Sequence, residues 1–327
     1  MRGRFQRLLA LGLTAVLALA VAACGGDDGG GSSSSGGGSG GGDLSGKIAI
    51  DGSSTVYPFA QAAAELFNEE ASDVRITVGQ SGTGGGFEKF CAGETDISTA
   101  SRGIEDDEKE SCAGKSVNYG EVQIANDGIS VATNKNLKVE CLTTAQLKKL
   151  WDKGSKIKNL SELDSSLPNT PLSLYGPGTD SGTFDFFTAE INGEEGQTRE
   201  DYEASEDDNQ LVTGVAGDEG GLGYFGFSYF EQNQDKLNLV GVQDGSAECV
   251  KPSAASIQDG SYKPLSRPLY MYPGEKAMSR PEVKGFMDFV VQNQADIAKA
   301  ANIVPLTDAQ ASTAADEVKK AESGAGS

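Results

Sequence analysis

Histidine is absent from all 327 residues. That absence removes every mechanism needing an imidazole: Ser-His-Asp and Cys-His nucleophilic catalysis, and zinc sites with histidine ligands. No two cysteines are spaced Cys-x-x-Cys, so a cysteine-based metal site lacks its framework as well. Basic residues are scarce, 27 against 48 acidic ones, for a formal charge of −21. Such a surface repels nucleic acid and anionic headgroups, so nucleic acid is not an expected partner. Any anion bound here must be held by local donors, not by the overall field. Beyond residue 23 no apolar run is long enough to cross a membrane.

What is present at the N-terminus is an export pattern. Arg2, Arg4 and Arg7 precede an uncharged run from Leu8 to Ala23, which reads as a signal peptide over residues 1–23. The run ends in Val21-Ala22-Ala23-Cys24, which resembles a bacterial lipobox; lipidation of Cys24 is the expectation. Residues 24–45 then form a linker. Gly25 to Gly42 is glycine and serine with two aspartates, a composition that cannot bury a core. A coil of about 18 such residues reaches roughly 20–25 Å, enough to tether a domain to a surface. The expected address is extracytoplasmic, anchored to the cell membrane through Cys24. The other four cysteines, Cys91, Cys112, Cys141 and Cys249, form an even set in an exported chain. Two disulfides are expected, with three pairings open. Cys91–Cys112 with Cys141–Cys249 is favoured, since the first pair closes a short local loop.

The remaining chain alternates short apolar runs with amphipathic ones, which predicts a parallel-rich α/β architecture. Strands are expected at 47–51, 75–80, 96–100, 121–125, 129–133, 171–175, 223–227 and 239–242. Helices are expected at 57–71, 86–91, 143–153, 181–191, 229–235 and 280–300. In such sheets ligands sit beyond the carboxyl ends of strands, at helix N-termini. Three turns there are rich in small polar residues: Asp51 to Pro58, Gly79 to Phe87, and Gly176 to Phe184. Each offers hydroxyls and unhindered N–H groups at the positive end of a helix dipole, which suits a compact oxyanion. Singly, each such turn is no more than a helix cap. Together they point to one anion site.

Gly52-Ser-Ser-Thr-Val-Tyr-Pro58, Gly82-Thr-Gly-Gly-Gly-Phe87, Ala100-Ser-Arg102 and Asp180-Ser-Gly-Thr-Phe184 resemble the signature loops of PstS-type phosphate-binding proteins. The resemblance runs in order from about Gly46 to about Thr307. It implies an α/β, two-lobed periplasmic-binding-protein fold (type II) with two crossovers and the ligand in the interlobe cleft. Lobe one would hold 46–128 plus 265–327, and lobe two 129–264. The crossovers would fall at Asp127-Gly128-Ile129 and near Arg267-Pro268-Leu269-Tyr270. Ser54, Thr55, the N–H of Val56, Thr83 and Arg102 would face phosphate from lobe one. Ser181, Gly182 and Thr183 would close on it from lobe two. The implied partners are phosphate, an ABC transporter permease and its ATPase. A monomer is expected, with no catalysis, no metal and no cofactor.

The chain departs from the enteric-type pattern at two places. An arginine four residues before the Ser-Gly-Thr serine is here Pro177, and an aspartate of that pattern is here Arg102. The cation thus changes lobes, and Arg102 becomes its candidate, because a guanidinium fork matches phosphate oxygens. The alternative for Arg102 is an ion pair with the acidic run from Glu105 to Glu110. Phosphate keeps a proton near neutral pH and sulfate does not, so a buried carboxylate that accepts P–O–H excludes sulfate. Asp127 is the first candidate for that acceptor; Asp51 and Asp180 stand behind it. Receptors for other tetrahedral oxyanions, sulfate or molybdate, and a secreted phosphatase are the competing readings.

Overall fold

A computed structural model of the chain describes residues 44–179 and 181–324. The expected signal peptide, Cys24, nearly all of the linker, Asp180 and the last three residues lie outside the described residues. No helix among the described residues is long and apolar enough to cross a membrane.

Ten strands follow in chain order: β1 (Ser45–Gly52), β2 (Asp73–Val78), β3 (Ile97–Ala100), β4 (Val122–Asn134), β5 (Cys141–Thr143), β6 (Ser173–Pro177), β7 (Glu203–Ser205), β8 (Gly221–Gly226), β9 (Leu237–Gln243) and β10 (Ser266–Pro273). Their order is β2-β1-β3-β10-β4-β8-β6-β7, with β9 on β4 and β5 on β9. β1 runs parallel to β2 and β3, and β6 runs parallel to β7 and β8. The joining pairs differ: β10 is antiparallel to β3 and β4, and β4 is antiparallel to β8 and β9. β5 also runs parallel to β9, so the sheet is mixed but parallel-rich as expected, with antiparallel pairs where β10 and β4 join its parts.

β4 corrects one expectation. Asn126-Asp127-Gly128 carries turn-forming residues, and two strands were expected around it. Instead β4 is continuous for 13 residues. Up to Gly128 it pairs with β10, and from Ile129 onward with β8 and β9. Pairing with β10, with a bridge from Asn126 to Val304 on the other edge, outweighs the weak strand preference of Asn, Asp and Gly. In this register Arg267 of β10 stands directly opposite Asp127.

Helices cover the sheet faces with apolar stripes. α1 (Tyr57–Glu70) starts with proline in its first turn and buries Phe59, Ala63 and Phe67 against Phe286 and Val290 of the helix Pro281–Gln292. α2 (Gly82–Cys91) begins four residues before its expected start. A Cβ on Gly86 would lie 2.5 Å from the Gly52 Cα, so glycine alone lets α2 lie on β1. α3 (Asp106–Gly114) is joined to α2 by Cys91–Cys112, and Cys141–Cys249 joins β5 to the segment after β9. α4 (Thr144–Trp151) carries the expected Thr143–Gln146 capping box. α5 (Gly182–Phe187) continues into a wider turn over Thr188–Asn192. The expected long helix from Arg280 to Ala300 breaks at Asn293 into Pro281–Gln292 and Gln294–Ala300.

Two large cores result. One gathers Trp151, Phe187, Tyr224 and Leu222 around the later strands; the other gathers Phe59, Phe67, Leu269 and Phe286 around the first ones. A smaller cluster of Phe87, Phe90, Tyr119 and Tyr272 sits beside the Cys91–Cys112 bridge.

Candidate functional site

A cavity of about 920 Å³ collects all three polar turns and the start of β10. The first turn leaves β1 and enters α1. Ser53 is buried and locked, its N–H on Thr99 O at 2.9 Å and its carbonyl accepting from Val56 and Tyr57. That lock leaves Ser54 and Thr55 on the cavity wall. The second turn is held by Asp51, which accepts from the Ser81 N–H (3.1 Å), the Ser81 hydroxyl (2.5 Å) and the Lys89 ammonium (2.7 Å). Burial opposes ionisation of Asp51, but Lys89 and the Ser81 donors outweigh it and hold the carboxyl below its ordinary range. Thr83 then lies 3.1 Å, hydroxyl to hydroxyl, from Ser101 and accepts the Ser101 N–H. In the third turn Ser181 caps α5 by accepting from the Thr183 N–H at 3.2 Å.

Between the turns lies Arg267. Its Nη2 donates to Thr55 Oγ1 (2.7 Å) and to the Gly182 carbonyl (3.1 Å). Its Nε meets Asp127 Oδ2 at 3.3 Å, and its guanidinium stacks 3.7 Å over the Phe186 ring. Only 14% of its side chain is exposed, and 12% of that of Asp127. Burial lowers the Arg267 pKa, while Asp127, Asp185 and Glu190 oppose the shift; an arginine stays charged in either case. This one side chain therefore ties the first turn, the third turn and β4 together.

Of the expected site residues, Ser54, Thr55, Thr83, Arg102 and Gly182 line the cavity. Val56 is fully buried in the core and spends its N–H on Ser53 O. Ser181 and Thr183 build the turn without joining the lining, and Asp127 stands behind Arg267. Arg102 reaches the wall with its guanidinium clasped by both Glu108 oxygens at 2.8 Å and by Glu105 at 3.2 Å. The Glu108 hydrogen bond, against some burial, raises its pKa.

Sequence reasoning missed Arg267 as a site residue and Asp185 altogether. Arg267 was noted only as part of a crossover. Asp185 falls four positions after Ser181, one helical turn on, so the cap and the carboxylate share a face. Its Oδ2 accepts from Ser54 Oγ at 3.4 Å. Burial, reinforced by Glu195, pushes its carboxyl up to about 6 against the pull of Ser54 and Arg267. Among the described residues no group of three or more His, Cys, Asp or Glu side chains is arranged to hold a metal ion.

Comparison with known proteins gives consistent results. A family model described as "PBP superfamily domain" matches residues 37–294. The chain is 44% identical over 272 residues to Protein SphX of Synechococcus elongatus, covering 83% of this chain and 80% of that protein. It is 42% identical over 265 residues to the phosphate-binding protein PstS of Staphylococcus saprophyticus, covering 80% and 81%. A crystal structure of a possible phosphate-binding protein from Planctomyces limnophilus superposes with a TM-score of 0.80 at 41% identity. That alignment covers 86% of this chain and all of the other.

Proposed function

This chain belongs to the PBP superfamily, beside Protein SphX and the phosphate-binding protein PstS, and from that premise we propose that it is an extracytoplasmic receptor for inorganic phosphate serving an ABC transporter. The observation that carries the reading is the cavity. Hydroxyls of Ser54, Thr55, Thr83 and Ser101 surround it, and a nearly buried arginine stands between two of its turns. A small oxyanion needs that set, because neutral donors surround its oxygens while one cation compensates the charge.

In this proposal Ser54, Thr55, Thr83, the Gly182 N–H and the Thr183 hydroxyl donate to the anion. Arg102 faces it from the outer wall, with Glu105 and Glu108 fixing its fork. Val56 and Ser181 shape their turns, and Asp127 orients Arg267. The two lobes are 46–128 with 265–327, and 129–264. The change of pairing partner along β4 between Gly128 and Ile129 supports that division. Closure of the lobes buries the anion, and the closed form docks on the permease. Cys24 carries the lipid that keeps the receptor at the membrane, where it works as a monomer without turnover.

Calorimetric titration of the anion-free protein with phosphate tests this. One-to-one phosphate binding, lost in an Arg267→Ala and Thr183→Ala double variant, is the expected result. Absence of phosphate binding, or hydrolysis of a chromogenic phosphate ester, would refute it.

A further inference from the structure

α3 is a helix that carries almost no apolar surface. Five of its nine residues are charged, and among the nine, all of them described, Cys112 alone is buried. Helices are held in a fold mainly by packing of an apolar face, and α3 has none to offer. The segments on either side are fixed on their own account. The Ile104 N–H donates to the Tyr272 hydroxyl at 3.1 Å, and Tyr119 pairs with Gly274 in an isolated β-bridge. The helix between them is fastened through Cys91–Cys112 to α2, whose other end supplies Gly82 and Thr83 to the cavity.

Glu105, Glu108 and Cys112 are spaced three and four apart, so they lie along one side of this helix. Cys91 Sγ comes within 3.6 Å of the Glu108 carbonyl, and the Glu108 side chain is only 12% exposed. The two acids on this side engage Arg102 on the cavity wall. Arg102 Nη1 donates to Glu108 Oε2 (2.8 Å) and to the Gly103 carbonyl (3.2 Å). Its Nη2 donates to Glu108 Oε1 (2.8 Å), and its Nε faces Glu105 at 3.2 Å. The second Nη2 N–H is left with no acceptor among the described residues, on a guanidinium that is otherwise fixed.

We propose, resting on the phosphate reading above, that the Cys91–Cys112 bridge is a positioning element for phosphate capture. By holding α3 it holds Glu105 and Glu108, and through them the Arg102 fork. The bridge touches no ligand and acts only through that arginine. With the bridge in place, Arg102 meets the anion already ordered, with its spare donor set in direction. Without it, α3 has no buried side chain to keep it against α2, and the two carboxylates move away with the helix. Arg102 keeps its charge, but the anion must then order the long side chain itself, at the expense of its rotamer freedom.

Calorimetric phosphate titrations of wild type, Arg102→Ala, a Cys91→Ser and Cys112→Ser double variant, and the combination of all three form a thermodynamic cycle. The bridge-less variant should bind phosphate about three- to tenfold more weakly than wild type. Arg102→Ala should cost at least about threefold less affinity in the bridge-less background than in wild type, a coupling that a bridge serving stability alone would not produce. Equal costs in the two backgrounds, or undiminished affinity without the bridge, would overturn the proposal. Glu108→Ala in the bridged protein tests the same link should the bridge-less chain fail to fold. It should weaken phosphate binding and couple to Arg102→Ala in the same way, and full affinity there would overturn the proposal too. A wild type that binds no phosphate would refute the receptor reading, and this proposal with it.

Discussion

Removing the Arg267 guanidinium should expose how much of this site is structural. Arg267→Met keeps the apolar stem on Phe186 but leaves Asp127 facing β10 with no cation. The Asp127 side chain is only 12% exposed, so water cannot easily take the place of the lost charge. Breaking a buried pair from one side costs about 3–5 kcal/mol, most of it the stranded charge. Thr55 Oγ1 and the Gly182 carbonyl also lose their donor, at about 1 kcal/mol each where solvent does not replace it. The expected total is about 5–7 kcal/mol, large against the 5–15 kcal/mol typical of a folded domain. Adding Asp127→Leu removes the stranded charge and should recover about 3 kcal/mol of the loss. Equilibrium urea unfolding of the anion-free wild type, the single and the double variant reads these differences. Equal stability of the single and double variants would refute the argument. So would a single-variant loss under about 1 kcal/mol, because a nearly dry ion pair cannot be that cheap to break.

Three further outcomes follow from the same geometry. A Cβ on Gly182 would lie 2.1 Å from Thr55 Oγ1 and 2.4 Å from its N, so Gly182→Ala should part the first and third turns. Overpacking of about 1–3 kcal/mol at that contact predicts a tenfold or greater loss of phosphate affinity by calorimetry. Replacing Cys141 and Cys249 by serine opens a bridge between residues 108 apart and should cost about 5 kcal/mol of stability in urea, against about 3 kcal/mol for Cys91–Cys112, separated by 21. Burial pushes Asp208 up to about 6, so its charged form weakens the folded state once pH rises through that value. Asp208→Asn should therefore stabilise by about 1–2 kcal/mol near pH 8, and the gain should vanish near pH 4 in paired urea titrations.

The turns were legible in the sequence because their chemistry is local. Ser54-Thr55, Thr83 and Ser181-Gly182-Thr183 each lie within a few residues of the strand and helix that aim them. Arg267 was not legible as a site residue, because its partner Asp127 is 140 positions away and meets it only through strand register. The same long-range pairing hid the continuity of β4, whose Asn126-Asp127-Gly128 reads as a turn when taken alone. Among the helices that went unnoticed, two escaped for a different reason. Asp208–Gly217 and Asp308–Glu322 bury narrow stripes, such as Ala314, Val318 and Ala321, that a hydrophobic period barely registers. The break at Asn293 was likewise masked by an apolar period that continues in phase on either side.

The continuity of β4 also bears on how the receptor would move. A loop between lobes acts as a pivot pin, free to rotate until something stops it. A strand hydrogen-bonded on both edges acts more like a leaf spring, which stores resistance along its length as it bends. Opening the cleft then has to twist the β4–β10 ribbon around Asn126 to Gly128 while its ladder stays intact. The amides of Ala125 and Ile129, which donate within or beside that ribbon, should exchange with solvent as slowly as the deepest core while the cavity wall a few ångströms away exchanges freely.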